Sequence, residues 1–125
     1  MSGFTEYALT AGRQPLACCL GPDGNVWYVS NGGAARVCKI TPGGTVTEYD
    51  CPDSAADLQD ICAGPDGNLW VIGYTSNKVY KVTTGGSFTS YSSGITAAAG
   101  LYSICAGPDG NLWFAELGAT KIGKI

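Results

Sequence analysis

The chain has 125 residues, a formal net charge of −3, 45% hydrophobic residues and 14% charged ones. That composition is enough for a packed core, no apolar run approaches the roughly 18 residues of a membrane helix, and the negative balance offers nothing to nucleic-acid phosphates or an anionic membrane. Nineteen glycines, six prolines and seven tyrosines indicate a turn-rich, all-β protein without helix.

The first stretch, Met1-Ser2-Gly3-Phe4-Thr5-Glu6, has neither the basic segment nor the apolar core of a secretory signal, so a cytoplasmic location is the expectation. Phe4-Thr5-Glu6-Tyr7 reads as a strand because it returns as Val46-Thr47-Glu48-Tyr49 and Phe88-Thr89-Ser90-Tyr91. Both later copies follow a Gly-Gly turn, Gly43-Gly44 or Gly85-Gly86. A variable connection, Ala11 to Gln14, then leads into Leu16-Ala17-Cys18-Cys19-Leu20, whose counterparts are Leu58 to Ala63 and Leu101 to Ala106. Small and apolar residues suit a strand crowded on both faces, here termed strand A.

Gly21-Pro22-Asp23-Gly24-Asn25-Val26-Trp27 follows, and it recurs from Gly64 and from Gly107, a 43-residue period. A period of this size marks a supersecondary repeat such as a propeller blade. Proline sets φ at the second turn position and the second glycine is free to take positive φ. A calcium loop would use the same aspartates but needs alternating acidic ligands and a distal glutamate that are missing, so the turn reading is preferred and no metal is expected.

Strand B, Val26 to Val29, Leu69 to Ile72 and Leu112 to Ala115, is apolar on both alternating faces, and both must be covered. One tryptophan per repeat at a fixed place is what packing between blades requires, in preference to a stacking platform for a ligand. Strand C, Arg36 to Ile40, Lys78 to Val82 and Lys121 to Ile125, holds six of the seven basic residues at two repeat positions, which are solvated or ion-paired flanks. Turns at Thr41-Pro42-Gly43-Gly44 and Thr83-Thr84-Gly85-Gly86 lead to strand D. The third repeat reaches Ile125 without its strand D, and the unclaimed copy is Phe4 to Leu9. Cys19, Cys62 and Cys105 share a repeat position, and no Cys-x-x-Cys pair or histidine is present, so buried free thiols are favoured over disulfides or zinc.

The succession Gly-Pro-Asp-Gly-Asn-Leu-Trp-Phe (107–114), Lys-Ile-Gly-Lys-Ile (121–125) and Thr-Pro-Gly-Gly-Thr-Val-Thr-Glu-Tyr (41–49) resembles the repeat of the virginiamycin B lyase (streptogramin lyase) family of β-propellers. The resemblance implies four-stranded antiparallel blades, here about 15–49, 58–91 and 101–125. Family members carry a full ring in one chain. Three blades cannot close one, and the economical solution is a homodimer with six blades, residues 4–9 of each chain serving as strand D of its partner's third blade. The resemblance also implies magnesium-dependent elimination by two histidines and a glutamate, part of them in a Glu-x-His arrangement after strand B. Glu116 matches that glutamate, but Gly118 stands at the histidine position and the chain has no histidine at all. No catalytic residue or cofactor is therefore expected.

Turns A–B and C–D are nearly invariant between repeats, whereas loops D–A and B–C vary and share the other end of the blades. Variable loops on a rigid scaffold are where ligands bind. Their candidate binding residues are Arg13, Gln14, Asn31, Asp57, Asp60, Tyr74, Asn77, Tyr102 and Glu116, with tolerant surface positions as the plainer account of each. A non-catalytic, lectin-like carbohydrate-binding propeller is the leading reading. A lyase-like enzyme and a truncated, reconstructed or designed half-propeller without ligand are the alternatives.

Overall fold

A computed structural model describes residues 3–125; Met1 and Ser2, counted above with the half-propeller, lie outside the described residues. The strands are β1 (Pro15–Leu20), β2 (Val26–Ser30), β3 (Arg36–Ile40), β4 (Val46–Asp50), β5 (Leu58–Ala63), β6 (Leu69–Gly73), β7 (Lys78–Val82), β8 (Phe88–Tyr91), β9 (Leu101–Ala106), β10 (Leu112–Glu116) and β11 (Lys121–Lys124). They form three antiparallel sheets: β1-β2-β3-β4, β5-β6-β7-β8 and the three-stranded β9-β10-β11. Phe4 to Leu9 forms no ladder within the described chain.

β1, β5 and β9 adjoin one another and are innermost. Between the first two blades, Ala17 and Cys19 lie near the axis, Trp27 in the middle and Tyr49 towards the rim; Cys62, Trp70 and Tyr91 repeat the order in the next seam. Side-chain size thus grows outward, which is what fills a wedge between splayed sheets at crystal-like density. Trp27 stacks on Tyr49 at 5.9 Å between centroids, and Trp70 on Tyr91 at 5.7 Å. The Lys39 ammonium lies 5.5 Å from the Trp27 ring centroid and donates to the Thr84 carbonyl of the second blade at 3.3 Å, tying the two blades together.

Each A–B turn is a clamp on its own tryptophan. Asp66 Oδ1 accepts from Trp70 Nε1 at 3.0 Å and from the Asn68 amide at 3.2 Å, while Oδ2 accepts from Asn68 Nδ2 at 3.0 Å. Asp23 and Asp109 do the same for Trp27 and Trp113. The indole lies over the first glycine of the turn: a Cβ on Gly64 would come within 2.5 Å of the Trp70 ring. The aspartates that resembled metal ligands are thereby committed to the turn.

Position within the array, not residue type, decides exposure. Val37 and Val79 are 0% and 1% exposed, whereas Ile122 at the same place in the third blade is 67% exposed. On the opposite face Leu69 and Leu112 are 0% and 3% exposed, and Val26 of the first blade is 41% exposed. The two end faces of the array carry core residues without a neighbour.

Replacing Asp66 by Ala should cost about 1–3 kcal/mol, because the buried Trp70 N–H loses its acceptor; urea denaturation measures it, and Asp109→Ala should cost less because water reaches Trp113. The Trp113 and Asn111 donors hold the Asp109 carboxyl below the usual range. Glu48 is lowered by Arg13, and Asp53 by Tyr80 and then Lys78. With folded pKa values depressed, this stabilisation is complete above the unfolded carboxylate range of about 3.9–4.3 and is lost as pH falls through the folded values. Tm should therefore stay level from about pH 7 to 5 and drop below about pH 4; a Tm that rises on acidification would contradict the assignment.

Candidate functional site

The end of the blades formed by the D–A and B–C connections carries the irregular backbone. In each strand A the pairing register slips near its start, so that one residue is extra against strand B: Leu16 in β1, Gln59 in β5 and Tyr102 in β9. Such bulges turn a side chain out of the sheet. These three positions, with Asp60 and Ser103, line a hollow of about 290 Å³ at the inner ends of the blades. Tyr102 is 55% exposed and Leu16 likewise 55%, so an aromatic and an aliphatic face stand free in a polar surround.

The polar groups of the hollow are held from behind. Asp60 Oδ2 accepts from the Ile104 amide at 3.0 Å and from the Ser103 hydroxyl at 3.4 Å, joining the second blade to the third, while Oδ1 accepts from the Ile61 amide at 2.9 Å. Gln59 Nε2 donates to Asp57 Oδ1 at 2.9 Å, which aligns the amide along the rim.

Several of the expected binding residues are hydrogen-bonded to neighbouring segments of the chain. Asn31 donates to the Leu58 carbonyl and accepts from the Leu58 amide, both at 2.8 Å, so its amide is spent joining blades one and two. Asn77, at φ 55°, makes the same kind of pair with the Thr96 carbonyl and the Ala99 amide at 3.0 Å. Arg13 is locked on Glu48 through Nε–Oε2 at 2.6 Å and a second bond of 3.1 Å. Asn as a half-buried two-way connector between blades and Arg13 paired with the strand-D Glu48 of its own blade are three-dimensional contacts, which a one-dimensional repeat alignment does not display. Gln14 and Tyr74 are exposed, and Tyr74 packs its ring edge beside Gly100. The hollow thus gathers Asp60 and Tyr102 from the predicted set and adds Leu16, Gln59 and Ser103; the signal for these was the extra residue at the start of each strand A.

Glu116 stands apart from the hollow at the end of β10. It is 5% exposed, and its Oε2 has no hydrogen-bond partner among the described residues. Two residues on, a Cβ added to Gly118 would lie 3.2 Å from the Ala99 carbonyl oxygen and 3.3 Å from that of Ala98. Among the described residues no three His, Cys, Asp or Glu side chains converge as a metal set would. All six cysteines are free, but only Cys38 and Cys51 are buried as expected: Cys18 and Cys105 are exposed, and the half-buried Cys62 and Cys19 are pushed by partial burial up to about 12 and about 11, which keeps both as thiols.

Residues 2–125 match the model of the virginiamycin B lyase family. No curated protein matches the chain. Among solved structures, a streptogramin B lyase superposes with a TM-score of 0.90 at 35% identity, over 97% of this chain and 40% of that one. The selenomethionine-substituted virginiamycin B lyase of Staphylococcus aureus gives 0.90 and 35%, over 96% of this chain and 41% of that one. A catalytically inactive histidine-to-alanine variant of the Staphylococcus aureus enzyme with quinupristin gives 0.86 at 25% identity, over 96% and 40%. The chain therefore spans about two-fifths of the length of these structures.

Asn31→Ala should lower stability by about 1–3 kcal/mol, since it strips both partners from the buried Leu58 peptide groups. Tyr102→Ala should stay within about 0.5 kcal/mol of the parent. Chemical denaturation of the two variants separates fastening from free surface; equal losses would show that Tyr102 also belongs to the packing.

Proposed function

The chain belongs to the virginiamycin B lyase family, and we propose that it is a non-catalytic binding member, two copies of which complete a six-bladed ring. The observation that carries this reading is the missing base. The sequence has no histidine, and the related enzyme with one histidine replaced by alanine is described as catalytically inactive. Proton abstraction at neutral pH needs a group that is both within reach and partly unprotonated. Glu116 keeps the family's glutamate, but Gly118 stands where the family's histidine would be, with the Ala98 and Ala99 carbonyls 3.3 and 3.2 Å from where its Cβ would lie.

The bulge hollow supports a ligand with both a flat apolar face and hydroxyls. The Tyr102 ring offers the stacking surface, and the Gln59 amide and Asp60 carboxylate, already oriented by bonds to Asp57, Ile61 and Ile104, offer the polar groups at its edge, a set that fits a sugar ring. The hollow is shallow, and a single site of this kind binds weakly; a ring presenting it twice gains by avidity. Closure is favoured by the bare end faces, where covering a side chain such as Ile122 or Val26 contributes about 1.5–3 kcal/mol each. The front of the third blade and the back of the first are the two halves of a seam already made twice within the chain.

The 125-residue protein should have the native mass of two copies at micromolar concentration; a mass of one chain, or of three, overturns the six-bladed reading. With quinupristin and magnesium it should leave the antibiotic intact, and turnover abolished by Glu116→Gln would establish the lyase reading in its place. A glycan array should return binders whose affinity falls at least about tenfold in Tyr102→Ala; a blank array, or binding indifferent to Tyr102, sinks the sugar assignment.

A further inference from the structure

Of the five asparagines in the chain, Asn31 is the one followed by glycine, Gly32. Packing requires each of these two residues. A Cβ on Gly32 would run into the Gly12 carbonyl and lie 2.9 Å from Arg13 Cα, so backbone occupies the place of any side chain there. Asn31 is the clip between blades one and two, its Nδ2 donating to the Leu58 carbonyl and its Oδ1 accepting from the Leu58 amide, both at 2.8 Å. Two separate packing needs therefore create an Asn-Gly junction, the peptide link most prone to imide closure, because glycine puts no side chain in the way of its own nitrogen.

In that closure the Gly32 backbone nitrogen gives its proton to hydroxide and attacks the side-chain carbon Cγ of Asn31. A nitrogen–carbon bond forms, the bond from Cγ to Nδ2 breaks, and Nδ2 takes a proton from water and leaves as ammonia. Water then opens the five-membered imide at either carbonyl and leaves aspartate or isoaspartate at position 31, so the balance is one water consumed and one ammonia released. Cγ must swing onto the backbone that follows it, which it cannot do while both bonds to Leu58 hold. The second seam supplies the comparison. Asn77 makes the same two-way bond, to the Thr96 carbonyl and the Ala99 amide at 3.0 Å, but Lys78 follows it and its side chain hinders the attack.

The product cannot remake the clip. A carboxylate oxygen replaces the donor Nδ2, so an acceptor faces the Leu58 carbonyl where a donor stood 2.8 Å from it. The Asp57 carboxylate, with Oδ1 3.4 Å from Nδ2, adds like-charge repulsion. Asp57 Oδ1 also accepts from Gln59, so the disturbance reaches the rim of the hollow. We propose that Asn31 is a deamidation site that is shut while the first two blades are joined and reacts when their seam opens, its conversion then preventing the seam from closing as before. Local opening of this kind sets the rate, because the reactive geometry exists only in the opened state.

The test is to age the full chain at mildly alkaline pH in buffer, in guanidinium below the unfolding transition and in guanidinium above it, and to follow positions 31 and 77 by peptide mass spectrometry. Position 31 should convert at least about tenfold more slowly in buffer than in the unfolded chain, faster below the transition than in buffer, and ahead of Asn77 throughout. Equal rates in buffer and in the unfolded chain, a rate unmoved by denaturant below the transition, or earlier conversion of Asn77 overturns the proposal. The latch is read on the converted fraction of the sample aged below the transition, separated by anion exchange and returned to buffer. Its Leu58 amide should exchange hydrogen at least about tenfold faster than in the parent, and Asn31→Asp should reproduce that rate. A Leu58 amide as well protected as in the parent, in either material, overturns the latch.

Discussion

The constraint that governs this molecule is that a blade has no solvent face. Strand B is apolar on both sides, so each sheet is stable only between two others, and every other feature serves that need. The aspartate of the A–B turn holds the indole over glycine, the indole fills the middle of the wedge, and the tyrosine of strand D closes the rim against the next blade's turn. Repeat proteins derive stability from such nearest-neighbour interfaces more than from the units themselves. Three blades contain two interfaces and leave two half-interfaces, which is why Ile122 and Val26 are exposed where their counterparts are buried.

The same arrangement decides where function is free to reside. Residues that join blades are fixed by packing, and they include Asn31, Asn77 and Asp60, while Arg13 is held on Glu48 within the first blade. The bulged positions Leu16, Gln59 and Tyr102 join nothing and differ in every blade. A scaffold so regular leaves chemistry to its irregular residues. Here those residues are a leucine, a glutamine and a tyrosine, and they stand around the Asp60 carboxylate in one hollow.

Much of the architecture was legible because it is written in repetition. The turn Gly-Pro-Asp-Gly-Asn, the tryptophan that follows it and the alternation of strands recur at a constant period, and the sheets fall where that period puts them. The roles of the loop residues were not legible. Asn31 and Asn77 occupy loops and look like ligand contacts, but each meets a backbone peptide some 20 to 30 residues away, and such pairs depend on how one blade sits on the next. The hollow was half visible: Asp60 and Tyr102 stood out as polar and aromatic, while Leu16 and Gln59 became site residues only once the bulge turned them outward. Gly123 gave no sign in the repeat that its missing side chain makes room for a cavity.

If two copies close a six-bladed ring as proposed above, the open edge of the third blade becomes paired in solution, and native-state hydrogen–deuterium exchange of β11 reads that pairing. In a closed ring the outward-facing amides of Lys121 to Lys124 sit inside a ladder, and their protection should approach that of β7, which lies between two strands. Rapid exchange of those amides, at the rate of an unpaired edge while β7 stays protected, would show that the edge stays open and no ring forms.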